Sequence, residues 1–424
     1  MRRNPVFRRL VRASSVSMVG SHVTSIACPL LVLRLTGSPL EAGWVAFAAI
    51  APGLLVYMPA GALVDRWDPR RAMLFSEVGR GAAIAAVVIT LAVGKPSVLL
   101  LTAAAVVEGA LEVIGTLAER RCIGSLFGGD QVPSALVRLE GRTHVVLLAG
   151  RPLGGLLFAI DPILPFLADV TSFIYSATAL VRIKSRWSAA EKAADHREPA
   201  SANRLRSDIW EGLCRLCTDR FACIVIIAFS AGTLIFQALI MVFLADAHLQ
   251  DLSAVAIGMV LATSGVGGAL GSAAASQFLC RVRYSWIRLQ MLIWFLGFAV
   301  LALLVGRQVI LMAVVMAVLG FTGAMGNIEL DTHLMSKFNR DMQARVMSMS
   351  RVLSLIACAI GPAFGGSLVQ EFGINGAMTW LFLLAAGLPL LALAAPSAAG
   401  ARNRSRDQPG VAAMVDPSVP VGQP

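Results

Sequence analysis

The chain has 424 residues, of which 57% are hydrophobic and only 14% are charged, and its formal net charge is +11. A soluble domain is about a quarter charged and close to half apolar, so this composition excludes an ordinary soluble protein. The mean hydropathy of +0.74 instead indicates an integral membrane protein.

Apolar segments of roughly 20 residues follow one another along the chain, which is the length of a membrane-spanning helix. They are too long for strands of an outer-membrane barrel, which alternate polar and apolar residues over about 10 positions. Short hairpins at Gly94-Lys95-Pro96 and Asp161-Pro162 separate neighbours that composition alone would merge. We predict an all-α membrane protein with twelve spans, at 10–33, 43–64, 74–94, 97–118, 142–160, 162–181, 221–244, 253–279, 286–305, 308–330, 345–369 and 374–395.

The basic residues predict the orientation. With the N-terminus in the cytoplasm, alternating loops place 30 Lys and Arg residues on the inner side and 3 on the outer side. This excess predicts a multi-pass protein of the cytoplasmic (inner) membrane with both termini inside, and we expect a monomer. Nucleic-acid binding needs a clustered basic face, whereas these charges are spread over every inner loop, so no such partner is predicted.

Two segments are predicted to lie outside the membrane. Residues 182–220 form a cytoplasmic linker between a six-helix half at 1–181 and a second half at 221–395. The tail at 396–424 is rich in Pro, Ser, Gly and Ala, which is typical of disorder. Cys214 and Cys217 in the linker form a CxxC without a second ligand pair, so we predict no metal site and no cofactor.

An internal repeat relates the fifth spans of the two halves. Span five contains GRPLGGLL from residue 150, and span eleven contains GPAFGGSL from residue 361, an offset of 211 residues. A parallel repeat is typical of transporters that hold substrate near the membrane midplane between their halves. Glycines also serve ordinary close helix packing, and the matched offset favours the repeat. The predicted packing residues are Gly61, Gly150, Gly154, Gly155, Gly361, Pro362, Gly365 and Gly366.

The stretch GALVDRWDPRR at 61–71 places five charges of mixed sign directly after an apolar span. It resembles the signature loop between spans two and three of major facilitator superfamily transporters. LRLTGSPLEAGW at 33–44, LADVTSFIYSA at 167–177 and the segment 344–366 resemble the drug-export branch, which includes macrolide-efflux and enterobactin-exporter-like proteins. The resemblance extends over residues 5–395 and implies the major facilitator fold, two six-helix pseudo-repeats that enclose a cavity.

The resemblance also implies a gate at the signature loop. Asp65 would accept hydrogen bonds from the start of span eleven near Arg345, and this latch would hold the outward-facing state closed on the cytoplasmic side. Arg66, Arg70 and Arg71 would stay at the inner surface and fix the orientation. The alternative is a basic inner loop with no gating role.

In this superfamily spans one, four, seven and ten line the cavity, and the buried polar residues fall largely on them. The candidates for substrate contact or proton coupling are His22, Glu108, Glu112, Gln237, Asn327, Glu329 and Asp331. Glu108 and Glu112 lie on one helical face and could share a proton, or could form a packing salt bridge with an arginine. Glu329 and Asp331 could instead lie at the inner interface, and Glu77, Arg80 and Asp169 are expected to brace helices.

Span five departs from the drug-export branch, which usually has Gly-Pro where this chain has Gly150-Arg151-Pro152. An arginine inside a span is costly unless it is paired or hydrated. Arg151 therefore faces the cavity, as a further candidate site residue, or lies near an interface.

We predict a secondary active transporter, specifically a proton-coupled exporter of amphipathic drugs, macrolides or siderophore-like molecules. Its partners would be that small molecule, protons and the lipid bilayer. Export depends on the resemblance alone, and an uptake transporter or a membrane sensor of the same fold is the alternative. The sequence contains no HExxH, GxSxG or GxxxxGK[ST] motif, so it favours neither an intramembrane enzyme nor an ATP-driven pump.

Overall fold

The computed structural model describes residues 5–126, 132–183, 220–278, 285–304, 309–337 and 340–394. Every regular element in these ranges is an α-helix. They are α1 (Pro5–Thr36), α2 (Pro39–Arg66), α3 (Pro69–Ala92), α4 (Val98–Leu126), α5 (Val132–Ile160), α6 (Leu164–Val181), α7 (Arg220–Leu249), α8 (Ala254–Phe278), α9 (Ser285–Leu304), α10 (Val309–Lys337) and α11 (Arg340–Ala394). Gly373 divides α11 into two arms, because its φ of 67° and ψ of 179° are not helical.

Nine of the described helical segments are long and apolar enough to cross a membrane. One of them, Met349–Leu391, has 43 residues and contains the break at Gly373, so it is long enough for two crossings. Two shorter apolar segments, Leu148–Ile160 and Leu289–Leu301, occupy the positions of predicted spans five and nine. The described helices therefore match the twelve predicted spans in number and order.

The helices α4 and α5 extend beyond the predicted limits of their spans, which were 118 and 142. α4 continues to Leu126, and α5 already begins at Val132. Glu119 lies in the added part of α4, and Arg142 is the first residue of predicted span five. Their side chains form an ion pair with N–O distances of 2.8 and 3.0 Å. Hydropathy locates where a helix leaves the apolar layer, whereas paired charges allow the same helix to continue past that point.

Side-chain caps fix the tight turns that begin α2 and α3. The Ser38 hydroxyl accepts a hydrogen bond from the backbone N–H of Glu41 at 3.3 Å. The Asp68 carboxylate accepts from the backbone N–H groups of Arg70 at 2.8 Å and of Arg71 at 3.3 Å. A proline follows each cap, at a position whose N–H would have no helical partner. One acid of the signature stretch therefore has a local structural role.

Successive helices cross the bundle in opposite directions, so alternate connections lie at opposite ends. We call the end that holds residues 37–38, 93–97, 161–163 and 250–253 the Gly37 end. The end that holds residues 67–68 is the Asp68 end. The predicted orientation places the Gly37 end outside the cell.

This orientation can be tested by labelling a cysteine introduced at Gln250, which is exposed at the Gly37 end. In a background without the native cysteines, a membrane-impermeant maleimide should label Gln250→Cys on intact cells. A cysteine at Ala202, in the predicted linker, should react only after the membrane is permeabilised. The reverse pattern would show that the basic residues were assigned to the wrong side.

Glycine contacts relate the two halves by the repeat found in the sequence. Four of them form two matched pairs: Gly150 packs on His22, Gly154 on Val23, Gly361 on Gln237 and Gly365 on Ala238. The glycines of α5 and α11 are 211 residues apart, and their partners on α1 and α7 are 215 residues apart. The same pair of helices therefore packs in the same way in each half, and small residues permit this close approach.

A second matched pair of contacts joins one half to the other. Gly155 of α5 packs on Ala254 and Gly258 of α8, and Gly366 of α11 packs on Pro39 and Leu40 of α2. Ala254 and Pro39 are again 215 residues apart. The domain limits remain a prediction, since residues 184–219, most of the linker, lie outside the described residues, as does the tail at 396–424. Cys214 and Cys217 fall in the same undescribed segment.

Candidate substrate cavity

A cavity of about 360 Å³ lies between the two halves. Its wall combines residues of α1 to α6 with residues of α7, α8 and α11. Most of the wall is apolar, including Val45 and Ala49 on α2 and Ile240, Met241 and Leu244 on α7. A mostly apolar wall with a few polar groups is the usual composition of a site for small organic molecules.

Five of the predicted candidates line this cavity: His22, Glu108, Glu112, Arg151 and Gln237. They come from α1, α4, α5 and α7, so the fold brings together residues that are more than 200 positions apart in the chain. Their roles in transport remain predictions, whereas their common location is a property of the structure.

Glu108 and Glu112 lie one turn apart on α4 but have different surroundings. Glu108 accepts a charge-assisted hydrogen bond from Arg80 Nη2 at 3.3 Å, and the two side chains are 15% and 8% exposed. Glu112 is exposed within the cavity and forms neither an ion pair nor a hydrogen bond with any described residue. The pair thus divides into a carboxylate matched by an arginine and a carboxylate that is open to a ligand.

Arg80 is the centre of a buried cluster behind the cavity. Its Nη2 also donates to the Ser21 hydroxyl at 2.6 Å, and its guanidinium lies 4.7 Å from the centre of the Phe173 ring. Phe173 belongs to α6 and Ser21 to α1, so one side chain of α3 contacts three other helices. This geometry fits the predicted bracing role of Arg80.

We expect Arg80→Met to lower the unfolding temperature of the detergent-purified protein. The substitution would leave Glu108 largely buried without its cation, and breaking a buried pair in this way costs about 3–5 kcal/mol. Thermal unfolding followed by tryptophan fluorescence measures the effect, with the exposed Arg34→Met as the matched control. Equal unfolding temperatures for both variants would show that Arg80 does not brace the bundle.

A stripe of hydroxyl side chains on α1 was not predicted from the sequence. Its members are Ser14, Ser17, Ser21 and Thr24, spaced three or four residues apart and therefore on one face. Each donates to or accepts from a charged side chain: Ser14 pairs with Glu119, Ser17 with Glu77, Ser21 with Arg80 and Thr24 with Asp169. The helical spacing of Ser and Thr within an apolar span was the available signal.

Two buried acids that accept hydrogen bonds from this stripe link α1 to neighbouring helices. Glu77 of α3 accepts from Ser17 at 2.9 Å, and Asp169 of α6 accepts from Thr24 at 2.7 Å. Asp169 has no exposed surface. A buried polar group needs such partners, so these contacts fix α3 and α6 against α1.

Arg151 lies on the wall of the cavity. Its Nη1 donates to the backbone oxygen of Leu261 at 3.3 Å and to the Ser264 hydroxyl at 3.2 Å. Both acceptors are on α8, so the side chain reaches from the first half to the second. Neither acceptor carries a charge, and Arg151 has no carboxylate partner among the described residues.

His22 and Gln237 occupy equivalent positions in the two halves, 215 residues apart. Gln237 Nε2 donates to Cys358 Sγ at 3.3 Å and so joins α7 to α11. His22 Nε2 is buried and has no hydrogen-bond partner among the described residues. The first half therefore presents a titratable group where the second presents an amide.

The three candidates on α10 do not line this cavity within the part of the chain that the structure describes. Asn327 is exposed, Glu329 is buried, and Asp331 accepts from Arg351 Nη2 at 3.0 Å in a pair that is partly exposed. The resemblance implied walls from spans one, four, seven and ten. The described wall contains α1, α4 and α7 as implied, but α2, α5, α8 and α11 also contribute and α10 does not.

The predicted gate can be followed only in part. The side chains of Asp65, Arg66 and Arg345 lie outside the described residues, and Gly61 lies within α2. Arg70 donates to the backbone oxygens of Leu180 at 2.8 Å and Val181 at 2.5 Å, where the last carbonyls of α6 lack helical partners. Arg71 is exposed.

The latch remains a prediction with a direct test. Asp65→Asn removes the charge that would attract the start of α11, so transport should fall strongly while the amount of protein in the membrane stays normal. Transport rate and membrane content, measured on the same vesicles, give the result. Transport at the wild-type rate would contradict the latch and would mean that the loop only fixes the orientation in the membrane.

The structure closes the cavity toward the Gly37 end. Contacts between glycines of one half and backbone of the other lie there: Gly43 against Pro362, Gly155 against Ala254, Gly258 against Pro152 and Gly366 against Pro39. Within the described residues, no glycine makes a comparable contact between halves near the Asp68 end. The halves are therefore in close contact on one side of the cavity.

Comparison with known proteins agrees with this architecture. The crystal structure of the nucleoside transporter NupG superposes with a TM-score of 0.73 at 12% sequence identity, covering 92% of this chain and 98% of that one. A bacterial homologue of the iron transporter ferroportin, in an inward-facing state, gives a TM-score of 0.66 at 14% identity, covering 91% and 98%. These likenesses show the fold and confirm the predicted fold class.

A sequence relative covers a short part of the chain. The uncharacterized MFS-type transporter y4rN of Sinorhizobium fredii is 35% identical over 78 residues, which are 18% of this chain and 19% of that relative. Residues 12–349, well over half of the chain, match the Major Facilitator Superfamily. The chain is therefore a multi-pass membrane protein and belongs to the Major Facilitator Superfamily of transporters.

Proposed function

We propose that this chain is a proton-coupled exporter of amphipathic small molecules that works by alternating access. The observation that carries the proposal is Glu112, a carboxylate without a protein partner on the wall of a mostly apolar cavity. Such a group can hold either a proton or the cationic part of a substrate, but not both. Competition for this one carboxylate would couple the movement of protons to the movement of substrate.

The surroundings of Glu108 and Glu112 support a coupling role for Glu112. Glu108 is matched by Arg80, so its charge is already balanced by the protein. Glu112 can therefore exchange its proton without breaking a buried ion pair. We place the Gly37 end outside and both termini in the cytoplasm, so the structure corresponds to a cavity closed toward the outside.

The names of the two similar structures refer to chemically different substrates. NupG is a nucleoside transporter, and a nucleoside carries no fixed charge that would require Glu112. The ferroportin homologue is related to an iron transporter, whereas the apolar wall here is better suited to an organic body. The predicted branch, whose members export drugs and siderophore-like molecules, fits both the acid and the apolar wall.

Two experiments test the proposal. Deletion and overexpression strains compared across a panel of antibiotics and siderophores identify a compound whose toxicity or release depends on the protein. Uptake of that compound into inverted vesicles should then require an imposed proton gradient and stop when a protonophore is added. Gradient-dependent movement in the opposite direction would indicate an uptake transporter, and no movement would indicate the sensor.

A further inference from the structure

Two side chains of opposite charge face the cavity, and neither forms an ion pair with a described residue. Glu112 on α4 has no hydrogen-bond or ion-pair partner among the described residues. Arg151 on α5 bonds only to neutral oxygens of α8. Both line the same cavity, yet no ion pair joins them.

Arg151 retains hydrogen-bonding capacity toward the cavity. Only Nη1 is engaged, whereas a guanidinium offers five N–H donors. Its other nitrogens make no hydrogen bond with a described residue and are not fully buried, and the residue lines the cavity. A planar guanidinium with free donors is well suited to bind a carboxylate through two hydrogen bonds.

The remaining wall holds no further unmatched charge among the described residues. Glu108 is paired with Arg80, and α2 and α7 contribute aliphatic side chains such as Val45, Ile240 and Leu244. A charge in such surroundings is unfavourable unless a partner meets it. A ligand with one charge would satisfy one of the two sites and leave the other unmatched.

We propose that the substrate is bipolar, with an amine that binds Glu112 and a carboxylate that binds Arg151, joined by an apolar body. The inference names the substrate class of the proposed exporter and therefore rests on the proposed function. Ligands with only one of the two charges should bind more weakly, because they leave a desolvated charged side chain without a partner. The amine and the coupling proton would occupy Glu112 in turn.

Binding to the detergent-purified full chain tests this directly. The probes are the dipeptide Leu-Phe, its N-acetyl form, which keeps only the carboxylate, and its C-terminal amide, which keeps only the amine. Titration calorimetry at neutral pH should show the free dipeptide binding at least about tenfold more tightly than either derivative, the effect of losing one charged hydrogen bond.

Variants assign each preference to one side chain. Glu112→Gln should make the free and N-acetyl forms bind equally, and Arg151→Gln should make the free and amide forms bind equally. Arg151→Lys, which keeps the charge, should retain the preference for a free carboxylate. Glu371→Gln and Arg34→Gln, exposed positions at the Gly37 end, should behave like the wild type.

The bipolar substrate is wrong if the amide binds the wild type as tightly as the dipeptide, if the preferences survive both substitutions, or if no member of the series binds. The assay uses no proton gradient, so its result is independent of the vesicle experiment. Coupled transport of a singly charged compound would support the exporter while refuting the bipolar substrate. Selective binding of the bipolar dipeptide without coupled transport would support the bipolar substrate while refuting the exporter.

Discussion

Glu112→Gln is expected to abolish gradient-driven export and to leave substrate exchange measurable. The amide keeps the size of the side chain but cannot take up or release a proton, so the two conformations no longer differ in protonation. Proton-driven uptake into inverted vesicles should fall to the level of empty vesicles. Exchange of labelled for unlabelled substrate, which needs no net proton movement, should persist.

Glu108→Gln provides the matched comparison, since it makes the same chemical change one turn away on α4. Its carboxylate is engaged by Arg80, so the substitution should weaken transport less and should mainly reduce stability. Glu371→Gln, an exposed acid outside the cavity, should have no effect. Undiminished uptake by the double variant of Glu108 and Glu112 would place coupling elsewhere, with His22 the next cavity residue to test.

The positions of the helices could be predicted from the sequence because hydropathy acts over a whole span. Burying about 20 apolar residues in lipid outweighs local irregularities, so even the break at Gly373 fell between two predicted spans. The predicted limits were less accurate at the Asp68 end. There α4 and α5 continue through charged turns, because Glu119 and Arg142 satisfy one another.

The repeat was also readable, because small residues are required wherever two backbones approach closely. Gly150 and Gly361 were matched by their similar flanking residues and their offset, and each packs on the equivalent helix of its half. The sequence did not show that Gly155 and Gly366 join the two halves instead. That distinction depends on which face of the helix each glycine occupies in the assembled bundle.

The surroundings of individual polar residues could not be predicted. Glu108 and Glu112 share a helical face and a residue type, and only the position of Arg80 on another helix separates them. Arg151 also lines the cavity, but its side chain extends to Ser264 of α8 and not to either carboxylate. Asp331 pairs with Arg351 away from the described cavity wall. Such differences depend on rotation of each helix about its axis, which hydropathy does not determine.

Gly258→Leu, alone and combined with Gly43→Leu, is expected to open the cavity toward the Gly37 end and to stop transport. A Cβ at Gly258 would lie 2.8 Å from the backbone oxygen of Arg151 and 3.2 Å from the Cα of Gly155. At Gly43 it would lie 3.1 Å from the Cα of Ala363. These neighbours are backbone atoms, which can give way only if the two halves separate.

Overpacking of this kind costs about 1–3 kcal/mol, which shifts a two-state equilibrium by roughly five- to 150-fold away from the closed form. The native Cys358 lines the cavity and reports the change if it is kept as the sole cysteine. Impermeant maleimide should label it slowly in the wild type and rapidly in the leucine variants, only from the membrane face at the Gly37 end. Gly387→Leu is the matched control, because a Cβ there meets nothing within 4 Å, and it should label like the wild type. Slow labelling in the double variant would mean that the contacts of α2, α5, α8 and α11 do not close the cavity at the Gly37 end. Rapid labelling from the opposite membrane face would mean that the Asp68 end opens instead.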